Sequence, residues 1–166
     1  MFKFKEFLLD DGGNVSVGLS IVFPILILFM LFTEQRWQAH YIRVETQAIL
    51  DFATLGAAET GEAKTIKGQA YCVIPYDESN QLYSGNHVSK YLIEENMHVL
   101  PTQLQNQLTS ELAGNKMEGL ANWELQQTGY MNLKVDLRYR VPLNLFYSQY
   151  IFHLESTSRC QPDLNQ

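Results

Sequence analysis

The sequence predicts an α+β fold, a long N-terminal helix followed by a small antiparallel sheet. Three observations predict it. An uncharged apolar run near the N-terminus is long enough to cross a membrane, helical periodicity continues beyond that run, and strict alternation of apolar and charged residues sets in toward the C-terminus.

The helix comes first. From Gly12 to Thr33 there is no charged side chain. As a helix this run rises roughly 33 Å, against a hydrocarbon core of about 30 Å. A secretory signal has a shorter apolar core and then a small-residue cleavage site. Here the run is followed by Thr33-Glu34-Gln35-Arg36-Trp37, which offers no such site. Pro24 inside the run removes one helical hydrogen bond, which a membrane helix tolerates with a kink. Lys3 and Lys5 on the short side nearly balance Arg36, Lys64 and Lys67 beyond the span. The orientation expected, with the N-terminus cytoplasmic, rests on the long C-terminal part having the texture of an exported domain.

Beyond the span, Trp37, Tyr41, Val44, Ala48, Phe52 and Leu55 recur at the spacing of one helix face, and Arg36, Arg43, Glu45 and Gln47 are read on the opposite face. No proline or glycine interrupts from Ile25 to Leu55. The periodicity predicts one helix that leaves the bilayer, becomes amphipathic and ends near Gly56 to Gly61; the alternative is two helices meeting near Thr33. The expected organisation is a leader over 1–13, a transmembrane helix over 14–33, an amphipathic extension over 34–60 and an exported α+β head over 61–166.

Within the head, Gln69 to Ile74 reads as a strand stopped by Pro75, and Val88 to Met97 as a short helix. Leu104, Leu108 and Leu112 repeat on one face of a further helix before Gly114-Asn115. Trp123, Leu125 and Gln127 begin an alternation that Leu133, Val135, Leu137, Tyr139 and Val141 continue. Lys134, Asp136, Arg138 and Arg140 lie between them, the period of a half-buried strand, and Pro142 ends it. A last strand is expected from Tyr150 to Ser158.

Composition narrows the function classes. The 166 residues carry a net charge of -6, which argues against nucleic acid as a partner. His40, His87, His98 and His153 are isolated, without metal-ligand spacing, and no phosphate loop or nucleophile elbow occurs. Glu94-Glu95 are neighbours in sequence only. No catalytic residue, metal or cofactor is therefore expected, and an anchored enzyme is the least favoured class. Tyr71, Tyr76, Tyr83, Tyr147 and Tyr150 suit core and strand packing better than an adhesive surface. Cys72 and Cys160, outside the membrane, could form one disulfide joining the last strand region to the segment after the long helix; the other reading is two unpaired thiols.

One stretch carries a family resemblance. Gly12-Gly13-Asn14-Val15-Ser16-Val17, then Ile21-Val22-Phe23-Pro24, then Glu34, together resemble the start of TadE-like, pilin-related proteins of tight-adherence pilus machinery. Gln47 to Ala53 followed by Gly56-Ala57-Ala58 fits the usual helix end. Leu133 to Tyr139 and Ile151 to Ser156 loosely resemble the closing strands. The resemblance implies a pilin-like α+β fold and a minor pilin or pseudopilin role. It further implies cleavage after Gly13 by a prepilin peptidase, leaving Asn14 as the new N-terminus, and partners among other pilin-like subunits and inner-membrane assembly proteins. Gly18, Pro24 and Glu34 are the positions expected to matter in helix packing. One residue departs from the pattern: related substrates carry a glutamate at the fifth mature position, and counted from Asn14 that position is Gly18. The rival expectation is an unprocessed, single-pass scaffold protein of a conjugation, competence or envelope complex.

Overall fold

A computed structural model of the chain describes residues 14–74, 76–77, 82–113, 118–119, 130–141 and 149–161. It divides into two compact units, Met1–His40 and Tyr41–Gln166. One helix, α1 (Asn14–Glu59), contributes to both, with Pro24 inside it and no break at Thr33. Residues 1–13, where a leader is expected, and Trp123, Leu125, Gln127 and Tyr147 lie outside the described residues.

The first unit is the apolar half of α1. Leu19, Phe23, Ile25, Phe29 and Met30 are all exposed, as are most of their neighbours. Such a surface is costly in water and at home in hydrocarbon. The charge-free run gives way to polar residues through local contacts. The Thr33 hydroxyl donates to the Met30 carbonyl at 2.8 Å, returning a polar side chain to its own helix. The Arg36 guanidinium lies over the Phe32 ring, 4.9 Å from its centre, so the first cation after the run is held by an aromatic face one turn back.

In the second unit α1 continues to Glu59 and is followed by a hairpin, β1 (Glu62–Ile66) and β2 (Gln69–Val73), paired antiparallel. Lys67 (φ 53°) and Gly68 (φ 79°) both take left-handed backbone at its two-residue turn, a geometry that matches the twist of the strands. A two-residue ladder, β3 (Tyr76–Asp77) with β4 (Leu82–Tyr83), leads into α2 (Ser84–Asn96), a short 3-10 turn (Met97–Val99) and α3 (Thr102–Ala113). The second sheet has the order β5-β6-β7, with β5 (Glu118–Gly119), β6 (Tyr130–Arg140) and β7 (Gln149–Arg159). β6 and β7 pair over their whole length, from Tyr130↔Arg159 to Arg140↔Gln149.

The alternation read from the sequence is realised on both long strands. Met131, Leu133, Val135, Leu137 and Tyr139 of β6 are buried, as are Phe152, Leu154 and Ser156 of β7, while Lys134, Asp136, Arg138, His153 and Glu155 face out. Tyr139 stacks on Phe152 with ring centres 6.4 Å apart. Ile42, Thr46, Ile49, Leu50, Ala53 and Ala57 of α1 are buried too. The Thr54 hydroxyl and Ser156 Oγ lie 2.5 Å apart, and Gln47 donates to the Glu155 carbonyl at 3.0 Å, which places α1 against β7. α3 packs on β6, with Leu104 and Leu108 buried.

One feature departs from the periodicity reading. The apolar face suggested by the spacing is the outer one. Trp37 of the first unit is exposed, and in the second unit Tyr41, Val44, Phe52 and Leu55 are each half exposed or more. The face turned to the sheet includes Thr46 and Thr54, which hydropathy alone would put outside. Each satisfies its hydroxyl on the carbonyl four residues back, Ile42 and Leu50 respectively, and so can be buried at little cost. Glu45 flanks the outer stripe instead of opposing it, whereas Arg43 lies toward the covered face.

Candidate functional site

Two features of the chain bear on function, the apolar surfaces along α1 and the covalent tie that closes the head. In the first unit, α1 is among the described residues the only helix long and apolar enough to cross a membrane. Pro24 and Glu34 are exposed on it, Gly18 is buried, and Asn14 is its first residue. Gly13 lies outside the described residues.

In the second unit the outer stripe of α1 is Tyr41, Val44, Phe52 and Leu55, with exposed Ala48 between them. Helical geometry sets these residues opposite Ile42, Thr46, Ile49, Leu50 and Ala53, so α1 is apolar on two opposed faces. Only one of them is covered by the sheet. The other has Tyr41 beside Glu45: the carboxylate, by charge and by hydrogen bond, raises the phenol above its ordinary range.

The head is closed by a disulfide between Cys72, in β2, and Cys160, just after β7, with Cα atoms 5.8 Å apart. The sulfurs sit in a buried cluster with Ala57, Ile74 and Met131. Gly61 is there because a side chain would not fit: a Cβ would collide with Cys160 Sγ and come within 2.7 Å of Cys72 Sγ.

Among the described residues no group of His, Cys, Asp or Glu could hold a metal ion. The four histidines are all exposed. His98 Nδ1 lies 2.9 Å from the Glu95 carbonyl, and His153 faces Asp136 at 3.4 Å across the β6–β7 ladder. Sequence reasoning expected β2, which carries Cys72, but missed its partner β1, the β3–β4 ladder and the inversion of the apolar face of α1. The Lys67-Gly68 pair was the one available sign of the hairpin.

Comparison with protein-family models, with curated proteins and with solved structures gives no match to this chain.

Proposed function

We propose that the protein is a non-enzymatic, pilin-like structural subunit, a minor pilin or pseudopilin of a bacterial tight-adherence pilus or related secretion apparatus. It is held in the membrane by the apolar part of α1, with the N-terminus cytoplasmic and the α+β head outside, and it works by helix packing and assembly. The observation that carries this reading is the outer stripe of Tyr41, Val44, Phe52 and Leu55 in the second unit. A plain anchor needs apolar surface only within the bilayer. A subunit that packs against neighbouring helices needs it beyond the bilayer as well. The Cys72–Cys160 bond supports a head outside the cytoplasm, because such bonds persist in oxidising compartments.

In this reading a prepilin peptidase cuts after Gly13, Asn14 becomes the N-terminus, and Gly18, Pro24 and Glu34 shape the contacts of the membrane helix with its partners. Gly18 also favours a second reading. Without a carboxylate at that position, a new amine buried among helices would lack its partner. The unprocessed, membrane-anchored scaffold of a conjugation, competence or envelope complex avoids that cost. Intact mass of the protein recovered from its native membrane separates the two. A chain beginning at Asn14, with Gly13→Lys blocking the cut, is the expected result. A chain retaining Met1 to Glu6 and indifferent to Gly13→Lys refutes processing and leaves the scaffold.

A further inference from the structure

The outer face of the β6–β7 ladder carries side-chain pairs at one end and, among the described residues, arginines without such partners at the other. Lys134 pairs with Glu155 at 3.4 Å, and Asp136 with His153 at 3.4 Å. The next two cross-strand positions set Arg138 opposite Ile151 and Arg140 opposite Gln149. Among the described residues neither arginine has a carboxylate partner. In a chain of net charge -6, two adjacent uncompensated cations run against the overall balance.

Both arginines open onto a groove of about 550 Å³, lined by Arg138, Arg140, Gln149 and, from α3, Gln103, Asn106 and Gln107. That volume falls within the ~300–1,000 Å³ typical of small-molecule sites. The three α3 residues stand at positions i, i+3 and i+4 and so share one helix face. On β6 the arginines are two residues apart and project to the same side, their Cα atoms roughly 6.7 Å from one another. Among the described residues the lining is thus two guanidiniums and four carboxamides, with no carboxylate, aromatic ring or aliphatic side chain.

We propose that this groove binds an acidic saccharide, an oligosaccharide bearing carboxylates among vicinal hydroxyls. Each part of the lining then has a counterpart. A guanidinium takes a carboxylate through two parallel hydrogen bonds. A carboxamide offers one donor and one acceptor side by side, which suits neighbouring hydroxyls. Other ligand classes fit less of the wall. Among the described residues a nucleotide base finds no aromatic ring to stack on and an acyl chain no aliphatic side chain to pack against, and a bare phosphate leaves the four amides unused. The proposal concerns the head alone and stands whether or not the leader is cut.

The test uses the full chain in phosphatidylcholine nanodiscs, titrated calorimetrically with trigalacturonate, its fully methyl-esterified form and inorganic phosphate. The acid trimer should bind at a dissociation constant on the order of 1 mM or below. Esterification, and the double variant Arg138→Gln with Arg140→Gln, should each weaken it by about tenfold or more. Gln107→Leu should weaken it by about threefold while leaving the melting temperature in place. No heat from the acid trimer up to about 10 mM overturns the proposal. So does a double variant that binds as well as the parent. Displacement by phosphate at equal concentration would make it a bare anion site and equally sink the saccharide. A double variant whose only defect is lost stabilisation by phosphatidylglycerol in the disc would assign the arginines to a lipid headgroup instead.

Discussion

Breaking the Cys72–Cys160 bond should lower the stability of the head by an amount the topology sets. The bond spans 88 residues. Loop-closure entropy for that separation corresponds to about 4.6 kcal/mol at 25 °C, removed from the unfolded chain while the bond is intact. For a unit the size of Tyr41–Gln166, an unfolding entropy of about 2.1 cal/mol/K per residue converts this to a fall of roughly 17 °C in melting temperature. Reduction should produce that fall alone, since it leaves the sulfur atoms in place. Cys72→Ala with Cys160→Ala should produce it plus a further loss of about 1–2 kcal/mol, from the space opened among Ala57, Ile74 and Met131. The assay is thermal unfolding of the detergent-solubilised full chain, followed by near-ultraviolet circular dichroism with and without reductant. Gly61→Ala supplies an internal control. It should cost about 1–3 kcal/mol in the oxidised protein, where the new methyl meets both sulfurs, and much less in the double-alanine chain. A reduced protein melting within about 3 °C of the oxidised one would refute the reasoning, because the constraint on the unfolded chain would then contribute almost nothing.

Further expectations concern α1 and the sheet. Thr54 has one hydroxyl hydrogen and two close oxygens, so it donates to the Leu50 carbonyl and accepts from Ser156. Thr54→Val should therefore cost about 1–3 kcal/mol by orphaning Ser156, whereas the double variant with Ser156→Ala should recover most of it in a denaturant-unfolding cycle. On the outer stripe, Phe52→Ser and Leu55→Ser should leave head stability within about 0.5 kcal/mol yet abolish co-purification with partner subunits, while Leu50→Ala on the covered face costs about 2–5 kcal/mol. Unchanged co-purification would remove the stripe from the assembly account. Burial raises the Tyr139 phenol above its ordinary range, which favours the neutral form in the folded state. Its contribution should be complete below the ordinary phenol range and disappear as pH climbs through the raised value. Denaturant midpoints measured from neutral to strongly alkaline pH should show that decline, and Tyr139→Phe should reduce it, leaving the part that the raised Tyr41 phenol contributes.

Much of the fold was legible because the period carries the burial. β6 is bounded by its own alternation and by Pro142, and Leu104 with Leu108 marks the buried side of α3. Two elements resisted for different reasons. β1 is exposed at Glu62, Ala63, Lys64 and Thr65, so its sequence has no inside and outside to alternate between; hydrogen bonds to β2 define it, and those leave little trace in composition. The orientation of α1 was hidden by the opposite problem, an excess of apolar residues. With hydrophobic side chains on two faces, periodicity cannot say which face meets the sheet, and the buried threonines point the wrong way until their hydrogen bonds are seen. The candidate site was legible in part. The apolar run and the two cysteines stand out by letter alone, whereas the unmatched arginines need the β6–β7 register to be noticed.

The position of the disulfide has a mechanical consequence. Tension applied between α1 and the C-terminal residues enters the head at Cys160, crosses the sulfur bridge to Cys72 and leaves through the β1–β2 hairpin toward Glu59. Everything between the two cysteines, including the whole β6–β7 ladder, forms a covalent loop that lies off the load path. A pull can open the hairpin and lengthen the chain by about a dozen residues, at most ~3.3–3.6 Å each. It cannot draw a strand out of the three-stranded sheet while the bridge is intact. Reducing the bond reroutes the load through β7, so the same chain would yield in two different places depending on its redox state.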